Sequence, residues 1–382
     1  MTVMPLFLAD VAVPQATAAA LATVRQHEIF WALNQLAALA LPAALLFAGL
    51  GARLRGLCAR LTGGRRTLTL ILFAALYLTL AAVVAGGIDC ARDRPQDIAP
   101  WLIGEAAPLL ARIAAAALFL WIPYALMRRF PRAWWALSAA ALVPVAFLAL
   151  VALPVLVDPL TAHYEPLKDK RLAAEIAGLA VRCGVTDIPV FVGGDDTTVV
   201  GLGPTKRIFL EDDIATAETQ EQITGTVSHE LKHYVMGDNY KALAIIAAFL
   251  FAGLWLVDRL GRAAIRRWRF GFDDLSDPAS LPLIVLVLSA LWLVILPAFN
   301  AYDRSIEHEA DRFGLELTHT GHANAALYAG WAKTYPAEYD TFAYLFRATH
   351  PSIGDRIRFA NTYRPWETGA PLVYGDVCKP MR

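Results

Sequence analysis

The chain has 382 residues, of which 57% are hydrophobic and only 18% are charged. Soluble domains carry about 25% charged residues, so this composition excludes an ordinary soluble enzyme. Basic and acidic residues number 34 each, and without a net charge no global field favours binding to nucleic acid. The four cysteines lack C-x-x-C spacing, which indicates neither a cysteine zinc site nor a dense disulfide framework.

Apolar residues cluster in six segments, and a membrane-spanning helix needs about 20 such residues. Six buried helices of a soluble protein would demand a far larger polar shell than this chain has. We therefore predict a multi-pass α-helical membrane protein of about six spans, with the lipid bilayer as a partner. The predicted spans cover residues 30–50, 68–87, 107–127, 134–157, 241–257 and 281–299.

Residues 1–157 are expected to form an N-terminal region with four spans. The rest of the chain has two polar stretches, 158–240 and 300–382, which the predicted membrane hairpin at 241–299 separates. We expect the two stretches to form one α+β domain that the hairpin interrupts. Hydrophobic periodicity predicts helix, three strands and helix in the first stretch, over 167–183, 188–192, 197–202, 207–210 and 219–236. In the second stretch it predicts helices over about 300–318, 323–334 and 352–363.

The pentapeptide His229-Glu230-Leu231-Lys232-His233 has the pattern H-E-x-x-H. Two histidines four residues apart lie on one face of a helix, so both rings can bind one metal ion. The glutamate after the first histidine then sits beside a water on that metal and can take its proton. The pattern specifies only three positions, so a polar helix with two solvated histidines stays the alternative.

An acidic cluster is the best source of a third ligand, since a catalytic zinc takes three protein ligands. Glu307 and Asp311 are four apart on a predicted helix. Glu307 can therefore bind zinc while Asp311 orients a ligand histidine. The alternative is a solvated acidic face. The membrane hairpin starts after the metal helix and ends before the acidic helix, which brings the two together and favours a zincin-like site.

These motifs resemble the integral-membrane zinc metalloproteases that include HtpX and the CAAX prenyl protease 1 enzymes. The order H-E-x-x-H, membrane hairpin, E-x-x-x-D is similar. So is a histidine followed by proline and then arginine, here His350, Pro351 and Arg356. The stretch 201–208 looks like the family's strand hairpin, and the resemblance covers about 158–382.

The resemblance implies a role for each matching residue. His229, His233 and Glu307 would bind one zinc ion. Glu230 would be the general base, and His350 would stabilise the oxyanion of the tetrahedral intermediate. Arg356 would support the site through Asp311 or a ligand.

The resemblance also implies that a strand near 196–201, with Asp196, Thr197 and Val199, binds the substrate backbone by strand addition. The family usually has Asn-Ala where this chain has Asp196-Thr197. An aspartate cannot donate the hydrogen bond of an amide, so this departure puts the grip on the peptide in doubt. Gly225 stands where the family often has alanine, which lowers helix propensity.

The expected function is that of a membrane-bound zinc metalloendopeptidase acting on a peptide or membrane-protein substrate. A prenyl-peptide, CAAX-type processing protease is an alternative with the same chemistry. A transporter or scaffold with a degenerate metal site is the alternative from another class. The near absence of Asp and Glu from the predicted spans counts against transport.

Arginines concentrate in the loops 51–67, 128–133 and 258–280, whereas acids outnumber arginines in loop 88–106. By the positive-inside rule the three basic loops would be cytoplasmic, and both polar stretches would face outward, toward a periplasm or lumen. The resemblance implies the opposite, a cytosolic active site. The expected location is a membrane, with a bacterial inner membrane as the preferred one.

An outward orientation would have a consequence for the cysteines. Cys90, Cys183 and Cys378 would then lie in an oxidising space, where one pair could form a disulfide.

Overall fold

A computed structural model describes residues 9–148, 150, 164–186, 188–193, 197–201, 205–332 and 335–378. Two compact units are present, and each is described by itself. The helical unit comprises residues 25–144 and 245–295, and the α/β unit comprises residues 1–24, 145–244 and 296–382.

Long apolar helices dominate residues 18–147 and recur between residues 238 and 318. Within the described residues, five helical stretches are long and apolar enough to cross a membrane: Ala18–Phe47, Arg66–Asp93, Ile98–Arg129, Asp238–Arg267 and Pro278–Thr318. In chain order the helices are α1 (Ala18–Phe47), α2 (Leu50–Leu61), α3 (Arg66–Asp93), α4 (Ile98–Phe119), α5 (Trp121–Arg129) and α6 (Trp134–Phe147). The multi-pass helical fold predicted from the composition is thereby confirmed.

The fourth predicted span, 134–157, is described only over its first part. There α6 is an apolar helix of 14 residues, shorter than the 20 or so that a bilayer needs. Residues 149 and 151–157 lie outside the described residues.

The three basic loops meet at one end of the helical unit. Arg55 donates to the backbone oxygen of Gly271 at 3.3 Å and pairs with Asp277. Arg262 donates to the backbone oxygen of Pro131 at 2.7 Å. The arginine-rich segments 51–67, 128–133 and 258–280 therefore share one end of the unit. Six consecutive spans would also place these three loops on one side of a membrane.

The α/β unit is built on a four-stranded sheet, β1 (Glu165–Pro166), β2 (Val190–Val192), β3 (Thr198–Val200) and β4 (Arg207–Leu210), in the order β1-β2-β4-β3. β2 pairs parallel with β4, and β3 pairs antiparallel with β4. The three predicted strands are confirmed. The short strand β1 was not predicted, because two residues carry no periodicity.

Helices cover the sheet and complete the α/β unit. The remaining helices of the described residues are α7 (Lys170–Arg182), α8 (Asp212–Ala217), α9 (Gln220–Val235), α10 (Asp238–Arg267), α11 (Leu281–Thr318), α12 (Gly321–Trp331), α13 (Thr341–Phe346), α14 (Ile353–Thr362) and α15 (Pro365–Thr368). Both α10 and α11 have residues in each of the two units. The predicted helices at 167–183, 219–236, 323–334 and 352–363 correspond to α7, α9, α12 and α14.

One helix replaces two predicted elements. The span predicted at 281–299 and the helix predicted at 300–318 form the single helix α11, 38 residues long, with Pro297 inside it. The residues change from apolar to polar near position 300, but the helix continues through this position without a break.

A disulfide joins two distant parts of the α/β unit. Cys183, which follows α7, is bonded to Cys378, 195 residues later in the chain. Both cysteines pack with a core that includes Leu172, Ile176 and Leu179 on one face of α7. Cys90, the third cysteine considered above, is a free thiol.

Candidate metal centre

Local sequence determines where α9 starts and which face it buries. Thr219 accepts a hydrogen bond from the backbone N–H of Gln222, and the Gln222 side chain accepts one from the backbone N–H of Thr219, a reciprocal cap. Ile223, Val227 and Leu231 are at most 3% exposed. With this face in the core, the candidate metal ligands of α9 lie on another face of the same helix.

Glycines allow α9 to pack closely against its neighbours. A Cβ at Gly225 would lie 1.9 Å from the Oδ1 of Asn324 on α12, and a Cβ at Gly314 on α11 would lie 3.0 Å from the Oγ of Ser228. The glycine at 225, noted above as a departure from the family's alanine, therefore has a packing reason. Its lower helix propensity is the cost of close contact with α12.

The H-E-x-x-H helix and the E-x-x-x-D helix bring three possible metal ligands together. Ligand atoms of His229, His233 and Glu307 all lie within 4.8 Å of one another. The Nε2 atom of His229 is 3.0 Å from Oε2 of Glu307 and 3.4 Å from Nε2 of His233. Two imidazoles and one carboxylate converging in this way are a donor set suited to a divalent transition metal.

A buried ion pair supports the first histidine. Asp311 lies 2.9 Å from Nδ1 of His229 through Oδ1. Arg356 binds the same carboxylate through two hydrogen bonds of 2.8 and 2.7 Å, and Tyr328 donates a third of 3.0 Å. Since Asp311 and Arg356 are 4% and 9% exposed, the carboxylate has little access to water and is held by protein donors.

A second carboxylate supports the other histidine, and sequence reasoning missed it. Oδ2 of Asp238 lies 2.9 Å from Nδ1 of His233. Gly237, with φ of +65°, makes the turn between α9 and α10 that brings Asp238 back to the histidine. The buried amine of Lys232 donates to Asp238 and to the backbone oxygen of Ile306, both at 2.8 Å.

Opposing effects set the charge of the two histidines. Burial lowers the pKa of His229, but hydrogen bonds to Asp311 and Glu307 outweigh burial and raise it to about 9. The pKa of His233 is raised as well, because hydrogen bonds to Asp238 and Glu307 outweigh burial there. The site is therefore strongly cation-attracting, as a metal site of this donor type should be.

Two further predicted residues face the same site. Glu230 and His350 line one cavity with His233 and Glu307. Nε2 of His350 is 3.2 Å from Oε2 of Glu307, and its side chain is 50% exposed. Arg304 holds the loop that carries His350, because it donates to the backbone oxygen of Ala348 at 2.6 Å.

The cavity has a volume of about 620 Å³ and runs along β3. Thr197 and Val199 line it, and β3 is an edge strand of the described sheet. The Thr197 hydroxyl accepts a hydrogen bond from the backbone N–H of Glu211 at 3.0 Å, so it also anchors the strand. Asp196, predicted to bind substrate, lies outside the described residues. Asp303, four residues before Glu307, also lines the cavity and was not predicted.

Comparison with known proteins matches residues 166–364 to the model of peptidase family M48. An uncharacterized metalloprotease, YhfN, of Bacillus subtilis strain 168 is 30% identical over 69% of this chain and 65% of its own length. CAAX prenyl protease 1 of Saccharomyces cerevisiae is 22% identical over 67% of this chain and 62% of its own length. The chain thus spans a little under two thirds of these curated relatives.

A solved structure shares the fold. The crystal structure of S. mikatae Ste24p superposes with a TM-score of 0.69 at 19% identity, covering 89% of this chain and 87% of that one. The fold and the converging side chains define a multi-pass membrane protein with a candidate metal site in its α/β unit. The family match covers more than half of the chain, and the chain belongs to peptidase family M48.

Proposed function

We propose that the protein is a membrane-bound zinc metalloendopeptidase. The observation that carries this proposal is the convergence of His229, His233 and Glu307 within 4.8 Å beside a cavity of about 620 Å³. Two histidines, one carboxylate and an open side are typical of catalytic zinc sites. Membership of a peptidase family favours this reading over a transporter or scaffold. Prenyl-peptide processing stays an alternative with the same chemistry.

Each residue has a separate task in the proposed reaction. His229, His233 and Glu307 would hold zinc, which supplies a Lewis acid and lowers the pKa of a water to about 7. Glu230 accepts the proton of the attacking water and passes it to the leaving amine. His350 donates a hydrogen bond to the carbonyl oxygen as it becomes an oxyanion. Its position beside Glu307 supports this role.

The substrate would bind as an extended peptide along β3. An edge strand offers unpaired N–H and C=O groups, to which a peptide can add as a further strand. Val199 and Thr197 lie on the cavity wall beside this edge. Main-chain pairing with β3 would hold the scissile carbonyl near the metal and leave the side chains of the substrate to the cavity.

The test of the proposal separates metal binding from proton transfer. Glu230→Gln should keep the metal content of the purified protein and abolish hydrolysis, because an amide cannot accept the proton. Membranes that carry wild type and this variant are compared by quantitative proteomics for cleaved proteins. Asp303→Asn, in the same cavity, is the control and should cleave. If Glu230→Gln cleaves as well as wild type, the assignment of the general base is wrong.

We further propose that the α/β unit faces outward, toward an oxidising compartment. Two observations support this orientation. Each of the spans α10 and α11 separates the basic loop 258–280 from the metal-site residues along the chain, and basic loops stay in the cytoplasm. The bond between Cys183 and Cys378 is of a kind that persists in oxidising compartments.

Fusions to the C-terminus test this orientation. Alkaline phosphatase, which is active only outside the cytoplasm, should be active there, and a fluorescent protein that matures only in the cytoplasm should be dark. A thiol reagent should label Cys183 and Cys378 only after reduction. A bright cytoplasmic fluorophore together with two free thiols would reverse the assignment.

A further inference from the structure

The meeting point of the three arginine-rich loops encloses a cavity of about 410 Å³ in the helical unit. It lies where membrane-crossing helices start and stop. α3 begins at Arg66, α5 ends at Arg129, and the turn Pro278–Ser280 leads into α11. The ends of spanning helices lie at the depth of lipid headgroups, so a cavity at this place is within reach of a headgroup.

Charges of both signs line this cavity. Arg55 is already compensated, because its guanidinium lies 2.5 Å from a carboxylate oxygen of Asp277. Arg66 and Arg128 also line it, and neither forms an ion pair with any residue of the described ranges. Asp273, on the loop before α11, likewise has no salt bridge within the part of the chain that the structure describes. Among the described residues, two cations and one anion of the lining therefore have no ion-pair partner, and a further lining carboxylate, Asp274, lies 3.9 Å from Arg262.

The N-terminus of α3 contributes backbone N–H dipoles to the same cavity as Arg66 and Arg128. The residue before it, Arg65, provides no side-chain cap, so the N–H groups of the first turn need an acceptor. Thr67, in that turn, lines the cavity as well. A helix N-terminus together with uncompensated guanidinium groups is a favourable environment for a phosphate.

An aromatic side chain provides the apolar part of the wall. Trp121 lines the cavity with 43% of its surface exposed. Its indole N–H donates to the backbone oxygen of Leu118 at 2.8 Å, so the ring is held in place. Tryptophan is enriched at the level of lipid headgroups, where the polar headgroup of a lipid meets its apolar acyl chains.

We propose that this cavity binds the headgroup of an aminophospholipid, with phosphatidylethanolamine as the simplest example. The phosphate binds Arg66 and Arg128, and the primary ammonium group donates to Asp273. A phosphoethanolamine group carries charges of both signs, as the uncompensated lining does. An anionic headgroup would leave Asp273 facing negative charge, and a choline headgroup has no N–H to donate.

The proposal is tested by lipid retention of the full-length protein purified in detergent. Short-chain phosphatidylethanolamine, phosphatidylglycerol and phosphatidylcholine are titrated, and bound lipid is counted by native mass spectrometry. Phosphatidylethanolamine should be retained at concentrations several-fold lower than the other two. Equal retention of all three lipids would overturn the proposal.

Variants locate the binding. Arg66→Gln with Arg128→Gln should abolish the preferred retention, whereas Arg53→Gln with Arg60→Gln, exposed arginines of the same loop region outside the cavity, should leave it unchanged. Asp273→Asn should remove the preference for phosphatidylethanolamine over phosphatidylglycerol and keep the binding itself. Identical retention by both double variants would show that general positive charge, and no specific cavity, binds the lipid.

Soluble competitors distinguish a lipid from a free phosphate ester. Inorganic phosphate and phosphoethanolamine should displace the lipid only at much higher concentration, because they lack the apolar part that Trp121 contacts. Displacement at a concentration similar to that of the lipid would identify a soluble ligand and overturn the lipid assignment. All of these measurements are independent of peptidase activity.

Discussion

Asp238 lies 2.9 Å from Nδ1 of His233, through its Oδ2 atom, at the start of the helix that follows H-E-x-x-H. A carboxylate can only accept a hydrogen bond, so Nδ1 carries the proton and Nε2 is the nitrogen that can bind a metal. Asp311 has the same relation to His229. Each histidine of the candidate metal site therefore has its own carboxylate, and each carboxylate has its own cations, Lys232 and Lys241 for Asp238 and Arg356 for Asp311.

Replacing Asp238 should weaken metal binding. Asp238→Asn keeps the shape but loses the charge that orients His233, and such supporting carboxylates contribute about 10- to 100-fold to metal affinity. Zinc affinity is measured by competition with a coloured chelator. Asp303→Asn, in the same cavity but without a contact to either ligand histidine, is the control. Equal affinities of the two variants would show that Asp238 serves only the fold.

Replacing Arg356 should strongly destabilise the α/β unit. Arg356→Met leaves the carboxylate of Asp311 buried without its main partner, which costs about 3–5 kcal/mol. Arg358→Met, on the same helix, removes ion pairs with Glu338 and Asp355 that are about half exposed, and it should cost less than about 1 kcal/mol. Denaturant unfolding in detergent compares the two variants. Equal losses would contradict a special role for the buried pair.

Tertiary packing decides whether Gly225→Ala stabilises or destabilises the protein. Helix propensity alone makes Gly225→Ala stabilising by about 0.5–1 kcal/mol, but the new Cβ would lie 1.9 Å from Oδ1 of Asn324. Overpacking of this kind costs about 1–3 kcal/mol, so the net effect should be destabilising. Adding Asn324→Ala should recover part of the loss.

Gly178 in α7 is the matched control for that substitution. Apart from its own helix backbone and chain neighbours, no atom of the described residues lies within 4 Å of a Cβ at this position, so Gly178→Ala should stabilise by about 0.5–1 kcal/mol. Thermal unfolding of Gly225→Ala and Gly178→Ala is the measurement that compares the two changes in stability. A stabilising effect at both positions would show that α12 moves away at no cost.

Metal affinity should rise with pH. His229 binds a metal only after losing a proton, and its pKa is raised to about 9 by Asp311 and Glu307. Below this pH the metal competes with the proton on His229, and the pKa of His233 is raised as well, so apparent affinity should increase by about tenfold or more per pH unit up to about pH 9 and then level off. Chelator competition across this range is the measurement. An affinity that does not change between about pH 7 and 9 would contradict the raised pKa.

Much of the site could be predicted from the sequence, because the spacing of ligands on a helix is a local property. His229 and His233 lie on one face of any helix that contains them, and Glu307 and Asp311 do so on theirs. Asp238 escaped prediction for a physical reason. It follows a glycine turn, so no helical period relates it to His233.

Other residues were missed because they come from separate elements. Tyr328 reaches Asp311 from α12, and Arg304 holds the loop of His350 from α11. Neither residue type nor spacing distinguishes them from ordinary helix residues. The pairing of Cys183 with Cys378 was open for the same reason, because four cysteines in sequence do not tell which two side chains meet.

The sequence by itself determined the long apolar helices and the two motifs, H-E-x-x-H and E-x-x-x-D. It also determined which side chains of each motif share one helix face, since these features follow from hydrophobicity and helical period. Tertiary structure decided which carboxylate meets which histidine. Glu307 and Asp311 contact His229 across sequence separations of 78 and 82 residues. Such contacts depend on how closely the two helices pack, and this closeness rests on the missing side chain of Gly314, where a Cβ would lie 3.0 Å from the Oγ of Ser228.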